Sequence, residues 1–511
     1  MTGPASDLIR AGQRLTPWRW WLDPASWAAL PAALRQEPAL ELLALWAEAR
    51  TVHAAFRLGP ELLLASVAAA DGAYPALSPA RPGAILFERA IADLWGLRAE
   101  GAVDARPWLD HGAWAAARPL AVQGQGGGAA AAPLPALPVG GERPQPVFLP
   151  AEGEGVHQVP VGPVHAGVIE SGHFRFHVQG EAVVRLEARL GYKHRGLIGL
   201  MLGRTPRAAA RYAARISGDS TVALAWAFAA AAEAATSLVP PPRALLLRGV
   251  MAELERIANH LNDWAALCGD AAFLWPQARL GALREGVLRA CDAAFGHRLM
   301  MDRLVPGGVS IDIAPSGPDR LLAALAVVGA ELPALRRICE EHASLQDRLA
   351  GTGVARPELV AAYAAGGFVG RASGRDFDVR RDLPYAPYAG LEIAVAGAAA
   401  GDVEARLAVR IEELARSLEL VGTLLARLEP GETLLPLPGK GGEGIGLVEG
   451  FRGEVFCWMA LDEAGLIRGL FPRDPSWLHW PLLEAAMEGN ILADFPLCNK
   501  SFNASYSGVD L

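Results

Sequence analysis

The chain has 511 residues, 52% of them hydrophobic and 20% charged, which describes a globular protein with room for more than one core and excludes a disordered one. Its net charge of −8 argues against nucleic acid as the main partner, and lysine stands only at Lys193, Lys440 and Lys500, so nearly all of the 47 basic residues are arginine. Five scattered cysteines without a C-x-x-C pair fit a reduced compartment and give no iron–sulfur cluster set.

The N-terminal stretch MTGPASDLIRAGQRL lacks the apolar core of a signal peptide, and no apolar run reaches the roughly 20 residues of a membrane span. Before residue 120, helix-like stretches such as ALELLALWAEARTVHAAF (39–56) alternate with strand-like ones such as ELLLASVAAAD (61–71). The run 121–155 is glycine, alanine and proline without periodicity and reads as a linker. HFRFHVQGEAVVRLEARL (173–190) alternates as a hairpin, with Gln179-Gly180 near its turn. From 197 to 350 apolar residues recur at three and four, as they do again over 402–428, so helices dominate there. Residues 432–475 are glycine-rich and strand-like, and a last helix is expected over 480–489. The fold class is therefore α+β: a small N-terminal α+β domain (1–120), the linker (121–155), and a mainly helical domain (156–511) that opens on a β-hairpin and ends β-rich.

Several motifs bear on chemistry. GPVHAGVIESGHFRF (162–176) gathers His165, Glu170 and His173 around glycines, either as a ligand loop or as histidines bonded to backbone carbonyls. YKHRG (192–196) sets His194 beside Arg195 at a strand-to-helix junction, a proton-handling pair or a solvated corner. In MAELERIANHLND (251–263), Glu255, Asn259 and Asp263 are spaced for pairing on a helix surface, with Arg256 and His260 beside them. SGDS (217–220) reads as a helix cap before Thr221, though two serines three apart also match the spacing that offers two thiolates to a metal. CNKS (498–501) repeats that spacing with one thiol. GKGGEGIG (439–446) is badly placed for a phosphate loop.

In their order, GPVH…GHFRF, YKHRG, VMAELERIANHL, PGGV (306–309), EGFRGEVFCWM and the closing ADFPLCNKSFNASYSGVDL resemble the large subunit of energy-converting [NiFe] hydrogenases and the homologous 49-kDa subunit of complex I. FERAIADLWGLRAEG (87–101) resembles the 30-kDa complex I subunit, so the whole looks like the fused large subunit of the hydrogenase-3 and hydrogenase-4 type. The resemblance implies two C-x-x-C pairs that hold nickel and iron. Here they align with Ser217 and Ser220 and, most nearly, with Cys498 and Ser501, leaving one thiol of four. Nickel and low-spin iron need soft thiolates, so no metal is expected, and the cavity left behind would be lined by Ser217, Ser220, Cys498, Ser501 and Arg215.

The complex I likeness implies a quinone site, with His165 on its loop histidine, Ile169 beside Glu170 on its second histidine, and Tyr212 near its tyrosine. Glu170, His165 and Asp219 are then the expected proton-relay or quinone residues, with His173, His194 and Arg195 around them. The resemblance further implies iron–sulfur clusters in a small partner subunit, antiporter-like membrane subunits, a hetero-oligomer without nucleic acid, and a peripheral place on the cytoplasmic side of the inner membrane. A subunit that only joins redox and membrane modules, or a hydrogenase with altered ligands, remain the alternatives.

Overall fold

The computed structural model describes residues 3–112, 114, 117–121, 146–167 and 169–511, so residues 122–145 of the expected linker lie outside it. The N-terminal part is built on a five-stranded mixed sheet in the order Gln13–Thr16, Arg19–Trp21, Glu61–Ala68, Thr51–Leu58, Glu41–Glu48. The stretch 39–56, read as helical from its leucine, alanine and glutamate content, is instead a hairpin, Glu41–Glu48 against Thr51–Leu58, turning at Ala49 with φ 52°. Residues 42–47 are all buried, because one sheet face carries the helix Ala84–Trp95 and the other meets the C-terminal sheet; burial on both faces outweighs helix propensity. At that meeting Trp46 stacks on Phe471, ring centroids 5.4 Å apart and planes 3° off parallel, and also touches Trp458. Arg375 reaches across to Glu41 at 2.7 Å, and Arg19 pairs with Glu443.

The hairpin His173–Gln179 with Ala182–Arg189 forms as expected, Gly180 taking φ 62° in its turn. Beyond it the helices Pro242–Asp270, Leu274–Phe295, Gly317–Glu341 and Val403–Ala426 pack as a bundle, the last opened by Asp402, whose carboxylate accepts from Ala405 N at 2.8 Å. The last long helix begins at Ser476 rather than 480 and ends at Ala486.

The apolar helix Thr221–Thr236 lies in the middle, across the strand Gly442–Gly450 of an antiparallel sheet completed by Gly453–Leu461 and Ile467–Arg473. Its alanines and the strand's glycines explain each other. A Cβ on Gly442, Gly444 or Gly446 would fall 2.1, 2.1 or 2.0 Å from the carbonyl oxygen of Ala235, Ala231 or Ala227. Every second strand residue thus meets every fourth helix residue with no side chain between them. GKGGEGIG is a packing face.

Candidate functional site

The helix Thr221–Thr236 begins at SGDS, but no side chain of that turn caps it. Its first amides, Val222 and Ala223, donate to the Glu255 carboxylate at 2.6 and 3.1 Å. Burial pushes the Glu255 carboxyl up to about 8, against these two bonds. The expectation that Glu255, Asn259 and Asp263 pair on a helix surface fails, since all three are buried and their side chains bond other elements rather than one another, apart from Asn259 Nδ2 donating to the Glu255 carbonyl at 2.9 Å. Asn259 Nδ2 donates to Asp219 O at 2.8 Å, Asp263 accepts from Arg410 at 3.1 Å and from Asn503 at 2.8 Å, and His260 bonds Glu413 at 2.8 Å. The long helix fixes the turn from below.

Freed from capping, SGDS faces the tail. Ser217 Oγ lies 2.8 Å from Ser505 Oγ and donates to Asp219 Oδ1 at 2.9 Å. Arg452 grips Asp219 through both terminal nitrogens and donates to Ser220 Oγ at 2.9 Å. Burial would raise the Asp219 carboxyl, but the Arg452 guanidinium and the Ser217 hydroxyl outweigh it and hold it below its usual value. Arg452 is placed by a backbone crossing: a Cβ on Gly367 (φ 62°) would fall 1.9 Å from Arg452 O, so only glycine lets the two chains touch.

Ser217, Asp219, Arg452 and Ser505 line a cleft of about 290 Å³ together with Ile169, Glu170, Asn503 and Tyr506. Glu170 accepts from Ser507 N at 2.9 Å. Tyr506, its hydroxyl pushed up to about 12 by burial, accepts from Asn499 at 3.1 Å. Behind the tail, Asp510 takes N–H bonds from Gly191 and Lys193 at 2.8 and 2.7 Å, while burial, helped by the Glu170 charge, pushes its carboxyl up to about 7.

Of the expected site residues, Ser217, Asp219 and Glu170 meet in this cleft, and Ser220 stands just behind it on Arg452. The others do not line it. Cys498 and Ser501 sit on the inner side of the helix Phe495–Phe502. Burial pushes the Cys498 thiol up to about 11, and Ser501 Oγ accepts from Arg406 at 2.8 Å. The tail segment that meets SGDS is instead Ser505–Gly508, which has the same spacing of three. Arg215 turns outward to Asp302 at 2.6 Å, so Arg452 rather than Arg215 charges the cleft. His165 and His173 are bonded to the carbonyls of Gly172 and Gly162 at 2.8 and 3.3 Å, which is the backbone-capping alternative. His194 bonds Asp510 O at 2.6 Å, and Arg195 donates to Arg215 O and Ile216 O at 2.7 and 2.9 Å, tying the YKHRG corner to the tail and the turn. Tyr212 contacts Arg211 away from the cleft.

Residues 274–440 match the family described as the 49 Kd subunit of respiratory-chain NADH dehydrogenase, a match that covers three of the four bundle helices and none of the residues that line the cleft. Over 359 residues the chain is 30% identical to the carbon monoxide-induced hydrogenase of Rhodospirillum rubrum, covering 69% of this chain and 98% of that one. The chain belongs to this family of hydrogenase large subunits and complex I 49-kDa subunits. Within the family, formate hydrogenlyase subunit 5 of Escherichia coli (strain K12) is 27% identical over 457 residues, 86% of this chain and 77% of its own. The same fold occurs in the structure of the membrane-bound sulfane sulfur reductase, an archaeal respiratory membrane complex. That match has a TM-score of 0.66 at 24% identity, over 70% of this chain and 99% of that one. Among the described residues, no helix is long and apolar enough to cross a membrane.

Proposed function

We propose that the chain is the large subunit of a membrane-associated oxidoreductase complex, that its cleft holds no nickel–iron centre, and that the cleft takes a small quinone-type acceptor and handles the accompanying protons. The observation that carries the reading is the direct Ser217–Ser505 hydrogen bond of 2.8 Å. The four positions that would grip the metals are then Ser217, Ser220, Ser505 and Gly508, with no thiol among them. Hydroxyls are hard, protonated at neutral pH and poor donors to nickel and low-spin iron, so the residues present do not fit that centre. Space argues the same way, because a Cβ on Gly508 would fall 2.9 Å from Asp474 Cγ.

A cleft of about 290 Å³ is close to the lower size of small-ligand sites. A lining that combines apolar Ile169 with hydrogen-bonding Ser217, Asp219 and Asn503 suits a flat ring bearing oxygens. An adaptor with a plugged cavity is disfavoured by this polar opening. The relatives' printed names, which include membrane-bound hydrogenases and quinone oxidoreductases, support a hetero-oligomer. In it a small subunit would carry the iron–sulfur clusters and antiporter-like subunits would span the membrane, with this chain on the cytoplasmic face. The division into a 30-kDa-like part (1–120), linker (121–155) and large-subunit part (156–511) belongs to the same proposal.

The test is metal analysis of the purified complex, followed by reduction of a short-chain ubiquinone by the native complex and by Glu170→Gln and Asp219→Asn variants. The expected outcome is no stoichiometric nickel and a quinone-dependent redox change that both variants depress. Stoichiometric nickel, or no quinone response, overturns the reading.

A further inference from the structure

A second cavity, of about 510 Å³, shares no lining residue with the cleft. It lies between the start of the helix Pro206–Ala213, the segment 434–439 and the turn 464–465. Gly203 N donates to Ile467 O at 2.8 Å and Ile467 N to Arg204 O at 2.9 Å, which fastens the helix start to the strand Ile467–Arg473. Leu435 N donates to Gly307 O at 3.0 Å and Val309 N to Thr433 O at 2.8 Å, which fastens the second segment to PGGV. That contact needs glycine, because a Cβ on Gly307 or Gly308 would fall 2.1 Å from Leu435 O or Thr433 O. Pro206, Pro306, Pro436 and Pro438 hold the lining backbone stiff. The walls are thus set in advance, and the volume is ordinary for a small-ligand site.

The lining is mostly apolar, and its one charged member is Arg207. Among the described residues the Arg207 guanidinium has neither a hydrogen bond nor a carboxylate partner. Partial desolvation is the only influence on it, drawing its value down with no acid to raise it. Arg204 and Arg211 stand three residues before it and four after it, and both guanidiniums reach the Tyr212 ring, 5.6 and 4.9 Å from its centroid. Their bonds go to Leu200 O and the Tyr212 hydroxyl, and neither meets an acid among the described residues. All three arginines are exposed. Farther along the chain Arg215 already has its carboxylate, Asp302. In a chain of net charge −8, three neighbouring arginines without acids beside an apolar cavity complement an anion with an apolar tail.

We propose that this cavity binds an anionic membrane lipid, with an acyl chain against Leu434, Leu437 and Leu461 and the phosphate head on Arg207, flanked by Arg204 and Arg211. The membrane as source rests on the reading of the chain as a subunit of a membrane-associated complex; the chemistry of the site does not. A guanidinium presents paired N–H donors that match phosphate oxygens, and the bond gains strength beside apolar walls that exclude water. The chain supplies apolar burial and the head supplies orientation, so neither part alone should bind well. Inorganic phosphate offers only the head, and a neutral alkyl glucoside offers only the tail.

The experiment is calorimetric titration of the full-length chain with decyl phosphate, decyl glucoside and inorganic phosphate, each below any micelle concentration. Decyl phosphate should bind one to one and at least about tenfold more tightly than either control. Arg207→Gln should weaken it at least about tenfold, the loss of one charge-assisted bond. Leu437→Trp, which fills the cavity from a half-buried position, should weaken it as much, and both variants should unfold at the parent's midpoint. In a second arm the native chain should sediment with phosphatidylcholine vesicles only when they contain phosphatidylglycerol, and Arg207→Gln should sediment less. No saturable binding, equal affinity in the parent and both variants, or inorganic phosphate binding as tightly as decyl phosphate overturns the site. Decyl phosphate binding without vesicle binding overturns the membrane as its source. None of these results involves the cleft, so the proposed function stands or falls on its own metal and quinone measurements.

Discussion

Gly508→Cys, the change that would restore a thiol beside Ser505, should destabilise the protein. The new Cβ would lie 2.9 Å from Asp474 Cγ and Ser505 Oγ and 3.0 Å from Asp474 Cβ, inside ordinary contact before the sulfur is added. Gly508 does not have positive φ, so the cost is contact and not backbone conformation. Asp474 cannot swing clear, because it is fully buried and fixed by Ser476 N at 2.8 Å. Overpacking of this kind costs about 1–3 kcal/mol. Gly508→Ala should lose most of the same amount, and Asp474→Ala combined with Gly508→Cys should recover part of it, with a coupling of about 1–2 kcal/mol. Denaturant unfolding of the purified complex, followed by tryptophan fluorescence, measures the cycle. A Gly508→Ala variant within about 0.5 kcal/mol of the parent, or additive single effects, would refute the packing argument.

Glu255→Ala strips the cap from two buried amides and should cost about 2–4 kcal/mol, with faster deuterium exchange at Val222 and Ala223; Glu255→Gln, keeping one acceptor, should cost less. Asp510 holds its proton to about pH 7 in the native state, against a usual carboxyl value of 3.8. The folded protein therefore binds more protons than the unfolded chain between about pH 4 and pH 7, and stability falls as pH rises through that window, by up to about 1.4 kcal/mol per unit. Asp510→Asn should flatten that slope in unfolding midpoints measured across pH, even if its baseline is lower. Trp46→Ala removes a large side chain from between two sheets and should cost about 3–5 kcal/mol in thermal unfolding.

The long helices are legible in the sequence because period and cap agree, as at Asp402 and the apolar rows of Val403–Ala426. The stretch 39–56 misleads because its composition favours helix while its burial on two faces is decided by the fold around it. SGDS can be singled out from its spacing, but its partner cannot: 498–501 and 505–508 both offer residues three apart, and only the turn of the helix Phe495–Phe502 hides one and presents the other. Arg452 lies inside a quoted family fragment with nothing local to distinguish it from Arg215; the glycine crossing that aims it joins segments some 85 positions apart in the numbering. The histidines are conspicuous for their chemistry, yet their rings are spent on loop carbonyls.

The seam where Trp46 lies flat on Phe471 bears on how the chain is made. Synthesis delivers the first sheet more than four hundred residues before the surface that covers it. Until then its tryptophan face is wet and adhesive, a target for chaperones. Severing the polypeptide between the two halves would turn one folding problem into an assembly problem, solved only if both pieces are produced together.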